Sequence, residues 1–247
     1  MKKSFFVGPA ILILVWLMVS WFNVIDSFFL PSLVEVFIAL FLLFKSGAII
    51  PDISSTFFKI IMSFSIAVVM GIPVGLLLGE SKKTYDSMEF IIDFFRSTPI
   101  TALFPLFLLV FGIGDWSKII LAAFSGFLFI VFNTAYGVIN AKKSRVLAAR
   151  TMGASKLQIF KHIIFWESLP QTFVGLRNAV SLSFVVIIIT EMFIGTSFGL
   201  GHRILNSQMI YDVSGMYATI IVTGMLGYAL NLCISLIERK YVHWGGK

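Results

Sequence analysis

Residues 147–170, LAARTMGASKLQIFKHIIFWESLP, set Arg150, Lys156 and Lys161 between long apolar runs. Ser144, just before the stretch, is placed to cap a short helix running through Met152, and Gly153 supplies a left-handed residue that ends one. Ser155, with Gln158 three residues on, forms a capping-box pattern for a second helix. Beyond it Leu157, Phe160 and Ile164 recur at i, i+3 and i+7, an apolar stripe beside Lys156, Gln158, Lys161 and His162. Pro170 marks the entry to the next apolar run. The pattern is helix, glycine turn, helix, and its surroundings decide what it can be.

Those surroundings are apolar. Hydrophobic residues make up 58% of the 247 and charged residues 13%, against roughly 25% charged in soluble domains. A single soluble core cannot enclose 27 Phe together with this much Leu, Ile and Val. The surplus faces lipid, so the sequence specifies an all-α membrane protein. Six stretches approach the roughly 20 residues that cross a bilayer: 5–22, 60–79, 97–114, 119–141, 172–193 and 213–237. The first ends in MVSWFN, with Trp21 and Phe22 where a signal-peptide cleavage site would need small residues, and reads as a retained span. The third carries Pro99 and Pro105, which predicts a kinked helix packed inside a bundle. Residues 31–44 are too short to span and hold Glu35, so they are expected as an external interfacial or re-entrant helix, with Pro31 in its first turn.

Charge supports that count. With six spans, one side receives Lys2, Lys3, Lys82, Lys83, Arg96, Lys142, Lys143, Arg145, Arg150, Lys156, Lys161, Arg177, Arg239, Lys240 and Lys247, and the other only Lys45, Lys59, Lys118 and Arg203. Fifteen against four assigns the first side, with both termini, to the cytoplasm. The net charge of +7 therefore reads as an orientation signal and not as a nucleic-acid surface. The expected organisation is 1–56 for the first span and the interfacial helix, 57–240 for a five-span core with a loop over 142–171, and 241–247 as a tail.

Reactive chemistry is missing. There is no GxxxxGK[ST] phosphate loop and no HExxH, and His162, His202 and His243 are scattered over loops and tail. No catalytic, cofactor or metal set is predicted. Cys233 lies in an apolar run and is expected to be a small packing residue. Glu191 is the one acid within reach of the bilayer: it either lines a path or gate, or caps a span in water at the outer interface. Asn133, Asn178, Ser181 and Ser183 are further pathway candidates, with helix-to-helix hydrogen bonding as the other reading. Gly71, Gly75 and Gly79 share one helix face and allow close backbone approach, either within a subunit or across a dimer seam.

The loop carries a further signal. Ala148, Ala149, Gly153, Ile163, Leu169 and Pro170 match the cytoplasmic loop of transmembrane subunits of bacterial ATP-binding-cassette importers. RSTPITALFPLFLLVFGIGDWSKI (96–119), TEMFIGTSFGLGHRI (190–204) and FLPSLVEVFIAL (29–40) resemble the sulfonate, taurine and nitrate permease branch, and the likeness covers nearly the whole chain. It implies the type I importer permease fold, with Ala148, Ala149, Arg150, Gly153, Ala154, Ser155, Lys156 and Leu157 in a coupling helix that docks on an ATPase. It also implies two cytoplasmic ATPase subunits holding ATP and magnesium, a second permease copy, an external solute-binding protein and a bacterial inner membrane. The family's leading glutamate is Leu147 here, and its first Leu-Pro is Phe165-Trp166. Docking would then lean on apolar shape and on Arg150, Lys156 or Lys161. Within the branch the cargo is a sulfonate, taurine, nitrate or a similar anion; relatives carry thiamine precursors or riboflavin. A membrane-embedded enzyme or scaffold is the reading from another class.

Overall fold

The computed structural model describes residues 7–193 and 197–242. The start of the first expected span, residues 194–196 of the 190–204 motif, and the tail with His243 and Lys247 lie outside the described residues. Helices α1 (Val7–Trp21) and α2 (Leu33–Lys45) precede α3 (Ile50–Glu80) and α4 (Lys82–Ser97). A 3-10 turn (Ile100–Leu103) leads to α5 (Phe104–Phe111) and α6 (Asp115–Ile139). Then come α7 (Lys143–Thr151), α8 (Lys156–Ile159), α9 (Phe165–Phe193), α10 (Leu200–Met209) and α11 (Val213–Tyr241).

Among the described residues, four helices are long and apolar enough to cross a membrane: Ile50–Glu80, Asp115–Ile139, Lys156–Phe193 and Val213–Tyr241. The other two expected spans take different forms. α1 is apolar but only 15 residues long. The third span is not one kinked helix. Between the second and third expected spans Lys82–Ser97 is helical, as α4, and the chain turns by 89° between α4 and the Ile100–Phe111 segment. The proline pair explains this. Thr98, just before Pro99, takes extended φ/ψ and closes α4, and Pro105 in the first turn of α5 starts a new helix. This segment packs one side on the bundle core, through Phe104, Phe107 and Leu108, and leaves Leu106, Leu109 and Val110 exposed.

The short helix expected at 31–44 forms as α2, capped by a complete Ser32/Glu35 capping box. Pro31 sits before the cap and not in the first turn; its carbonyl accepts the Trp16 indole N–H at 3.1 Å. α3 starts at Ile50 with Pro51 in its first turn, so one helix runs through the 56/57 boundary expected between core and leader.

The core is the packing of α6 against α3 on one side and α9 on the other. Gly71, Gly75 and Gly79 are buried where α3 crosses α6. A Cβ at these positions would lie 2.9 Å from Ile130, 2.7 Å from Thr134 and 2.5 Å from Val138, all on α6. The glycine face therefore closes a seam inside the chain. Gly175 does the same on α9, where a Cβ would sit 2.9 Å from Asn133 of α6. Cys233, expected to be packed, is exposed on α11, because that helix buries only one narrow side.

Candidate functional site

Two polar regions stand out, at opposite ends of the bundle. The first is at the end where α3 and α6 begin and α9 finishes. Asp52, Thr56 and Lys59 are spaced four and three residues apart, so they share one face of α3, and all three are buried. That face meets Glu191 near the end of α9. Lys59 Nζ lies 2.9 Å from Glu191 Oε1, with both side chains no more than 1% exposed. Thr56 Oγ1 donates to the same carboxylate at 2.9 Å, and the Gly201 N–H donates to Oε2 at 3.1 Å.

The chain just beyond α9 is stitched to the same face. Gly199 N–H donates to Asp52 Oδ1 at 2.8 Å, Leu200 N–H to Thr56 Oγ1 at 2.9 Å, and Arg203 pairs with Asp52. Gly199 has φ +153°, and a Cβ there would lie 2.5 Å from the Glu191 carboxyl carbon, so only glycine fits. From α6, Asp115 Oδ1 sits 3.4 Å from Lys59 Nζ and 3.8 Å from Lys118 Nζ. Three cations thus face three carboxylates, with Asp115 half exposed and the buried Lys118 Nζ making no hydrogen bond among the described residues.

This geometry settles two expectations. Glu191 is not a water-facing cap; it is buried with a cation and two further hydrogen-bond donors, the Thr56 hydroxyl and the Gly201 N–H. Lys59 and Lys118, counted above as loop charges, lie inside α3 and α6 and are buried. A charged group in this setting persists only when paired. Sequence reasoning missed Asp52, Thr56, Lys59, Asp115 and Lys118 as a group, although the shared helix face of the first three was a readable signal.

The second region is the 143–170 segment at the other end. α7 begins with Lys142 as its N-cap, without a side-chain bond, so Ser144 is not the cap. Gly153 has φ +81°, and its N–H bonds the Arg150 carbonyl at 3.0 Å, the left-handed helix end read from the sequence. The Ser155/Gln158 capping box forms in full. The second helix then differs from expectation in two ways. Phe160–Ile164 is wound as a π-helix, which inserts a residue and rotates the apolar register. Ile159 is the buried position, whereas Leu157 is 74% exposed. Pro170 lies inside α9 and does not open a new one; the helical run from Lys156 to Phe193 is 38 residues long.

The loop presents a distinctive surface. Met152 is 86% and Leu147 is 64% exposed, flanking the exposed Arg150, Gly153, Ser155 and Lys156. Ala149, Gly153 and Ala154 leave a hollow of about 400 Å³ between the two helices. Ala148 is exposed beside it. An ion pair between Arg145 and Glu167 ties α7 back to α9.

A family model described as binding-protein-dependent transport system inner membrane component matches residues 71–243, which take in the 143–170 segment and, of the far-end network, Asp115, Lys118, Glu191 and Arg203. The chain belongs to that family. It is a permease subunit of an ATP-binding-cassette importer. The taurine transport system permease protein TauC of Escherichia coli (strain K12) is 27% identical over 243 residues, 96% of this chain and 88% of TauC. The protein named as an aliphatic sulfonates transport permease, SsuC, of Bacillus subtilis (strain 168) is 25% identical, over 96% of this chain and 85% of its own. The nitrate import permease protein NrtB of Synechocystis sp. is 30% identical, over 74% of this chain and 66% of its own. A chain of the inward-facing MetNI methionine ABC transporter shares the fold, with a TM-score of 0.68 at 21% identity, covering 78% of this chain and 95% of that one.

The other pathway candidates of the permease do not gather at one place. Asn133 donates to the Phe129 carbonyl of its own helix at 2.8 Å. Ser181 Oγ reaches Asn231 Oδ1 of α11 at 3.0 Å, and Ser183 Oγ reaches the Ala122 carbonyl of α6 at 3.0 Å, so both join helices. Asn178 is exposed on α9. Arg177, one turn before Ser181, pairs with Glu238 of α11.

Proposed function

We propose that the 143–164 segment of this permease is its coupling element. Ala148, Ala149, Arg150, Gly153, Ala154, Ser155, Lys156 and Leu157 would form the surface that docks on a cytoplasmic ATPase. One observation carries this reading: Leu147, Met152 and Leu157 are thrust outward around a capped glycine turn, at the basic end of the chain. Apolar groups grouped on a polar surface favour a protein partner, and Leu147, where the family carries glutamate, makes the contact apolar. The loop end is then cytoplasmic and the far end external, in keeping with fifteen of the nineteen basic residues on the loop side.

Two copies of the permease would frame the path between them, with two ATPases holding ATP and magnesium and an external binding protein delivering the cargo. ATP binding by the partner favours one of two permease states, and the loop carries the contact that differs between them. The cargo assignment, a small sulfonate, taurine or nitrate-like anion, is supported by the named functions of the relatives. Asn178 and Ser181 remain the pathway candidates; Glu191 is more firmly tied as an anchor beside that path.

The test is Gly153→Asp, which fills open space but forces a side chain into a left-handed conformation. Uptake and cargo-stimulated ATP hydrolysis by the permease with its cognate ATPase and binding protein should be lost, with membrane insertion intact. Normal uptake would overturn the coupling assignment. Calorimetry of the cognate binding protein with taurine, an alkanesulfonate and nitrate tests the cargo; capture of a thiamine precursor or riboflavin instead would replace it.

A further inference from the structure

A cleft of about 940 Å³ opens where the α3–α6 glycine seam ends at the loop side. Gly79 and Glu80 close α3 there, Asn140 caps α6, and α7 folds back to form the third wall. Four cations line it: Lys82, Lys142, Lys143 and Arg150. None of the four has an ion-pair partner among the described residues, and Glu80 is the one carboxylate of the lining. Val146, Leu147 and Ile164 supply an apolar wall. The cleft is thus both strongly basic and half greasy.

Its surroundings point to a particular ligand. Val69, Pro73 and Leu77 form an exposed apolar stripe on α3, and Glu80 continues that stripe one turn further at the cleft's edge. An acyl chain laid along the stripe would end with its headgroup among the cations. We propose that this cleft binds the headgroup of an anionic phospholipid, with its phosphodiester against Lys82, Lys142 and Lys143. Glu80 then accepts hydrogen bonds from headgroup hydroxyls, which suits a glycerol-bearing headgroup better than bare phosphate. Leu147 belongs to this wall: a carboxylate at that position would cancel one cation and point a like charge at the ligand.

Basic pockets at the cytoplasmic level of a membrane protein attract anionic headgroups, each cation adding a few-fold in affinity. The probe is dioctanoylphosphatidylglycerol, titrated by native mass spectrometry or thermophoresis onto the permease purified with its ATPase. Saturable binding is expected, weakened about tenfold or more by a Lys82→Gln, Lys142→Gln, Lys143→Gln triple variant. Unchanged thermal unfolding of the triple variant is the folding control. Dioctanoylphosphatidylcholine should not compete. Equal binding by wild type and triple variant would overturn the proposal, as would displacement by millimolar inorganic phosphate, which would mark a free-anion site. Loss of ATPase co-purification in the triple variant, with lipid binding unchanged, would assign the cleft to an acidic ATPase surface and equally overturn it.

Discussion

The two ends of the 38-residue run from Lys156 to Phe193 are built on opposite plans. At the far end, Glu191 is buried with Lys59, Thr56 and the Gly201 N–H, so the polar chemistry is completed within the chain. At the loop end, Met152, Leu157 and Leu147 point outward, and nothing among the described residues covers them. The first arrangement finds its partners within the chain; the second is, on the reading proposed above, a surface for another protein. Self-sufficiency marks what must hold its shape, and incompleteness marks what must engage.

The largest test of that contrast is at the closed end. Lys59→Gln or Glu191→Gln would leave one charge buried without its partner, a loss of about 3–5 kcal/mol, seen as a lower melting temperature in detergent. Lys59→Met combined with Glu191→Met should recover part of the loss, because the double variant leaves neither of those charges stranded. If Glu191→Gln melts like wild type while transport changes, the cluster is a gate and not an anchor. Between the two ends, Gly75→Leu would push a side chain into Thr134 and the Val131 carbonyl, costing about 1–3 kcal/mol by overpacking. The smallest effect belongs to the open end. Ser155→Ala removes the cap of α8 and should cost about 1 kcal/mol locally. Hydrogen exchange should quicken at Gln158, whose N–H bonds Ser155 Oγ, with the global melting temperature unmoved. A large fall in melting temperature there would blur the contrast.

Much of this was legible in the sequence, for reasons that differ by region. Local signals translated directly: Gly153 took its left-handed turn and Ser155 with Gln158 closed a complete box, because both depend on residues within one turn. The long apolar helices were equally plain. The far-end network was not, since Lys59 and Glu191 are 132 residues apart and each alone resembles an interfacial charge. Only the spacing of Asp52, Thr56 and Lys59 hinted that α3 turns a polar face inward. The 89° bend between α4 and α5 was hidden differently: Pro99 and Pro105 announce an interruption, but an angle depends on what each half packs against. The π-helix at Phe160–Ile164 left no trace in the pattern and displaced the apolar register by a residue.

Gly175 lies 19 positions after Lys156 and 18 before Phe193, pressed against Asn133 and the Phe129 carbonyl of α6. One close crossing of the long helical run is therefore near its midpoint, between the approaches of Ser168 to Gly137 and Ser183 to Gly126. At 1.5 Å per residue the two arms are each roughly 28 Å long. A rocking of roughly 5° about that crossing would displace both tips by roughly 2.5 Å, in opposite senses. Rocking as one rigid body about that zone, the run would carry a push at Lys156 to Glu191 with its direction reversed. Softness at the π-helix or at Pro170 would subtract from the stroke on one side only.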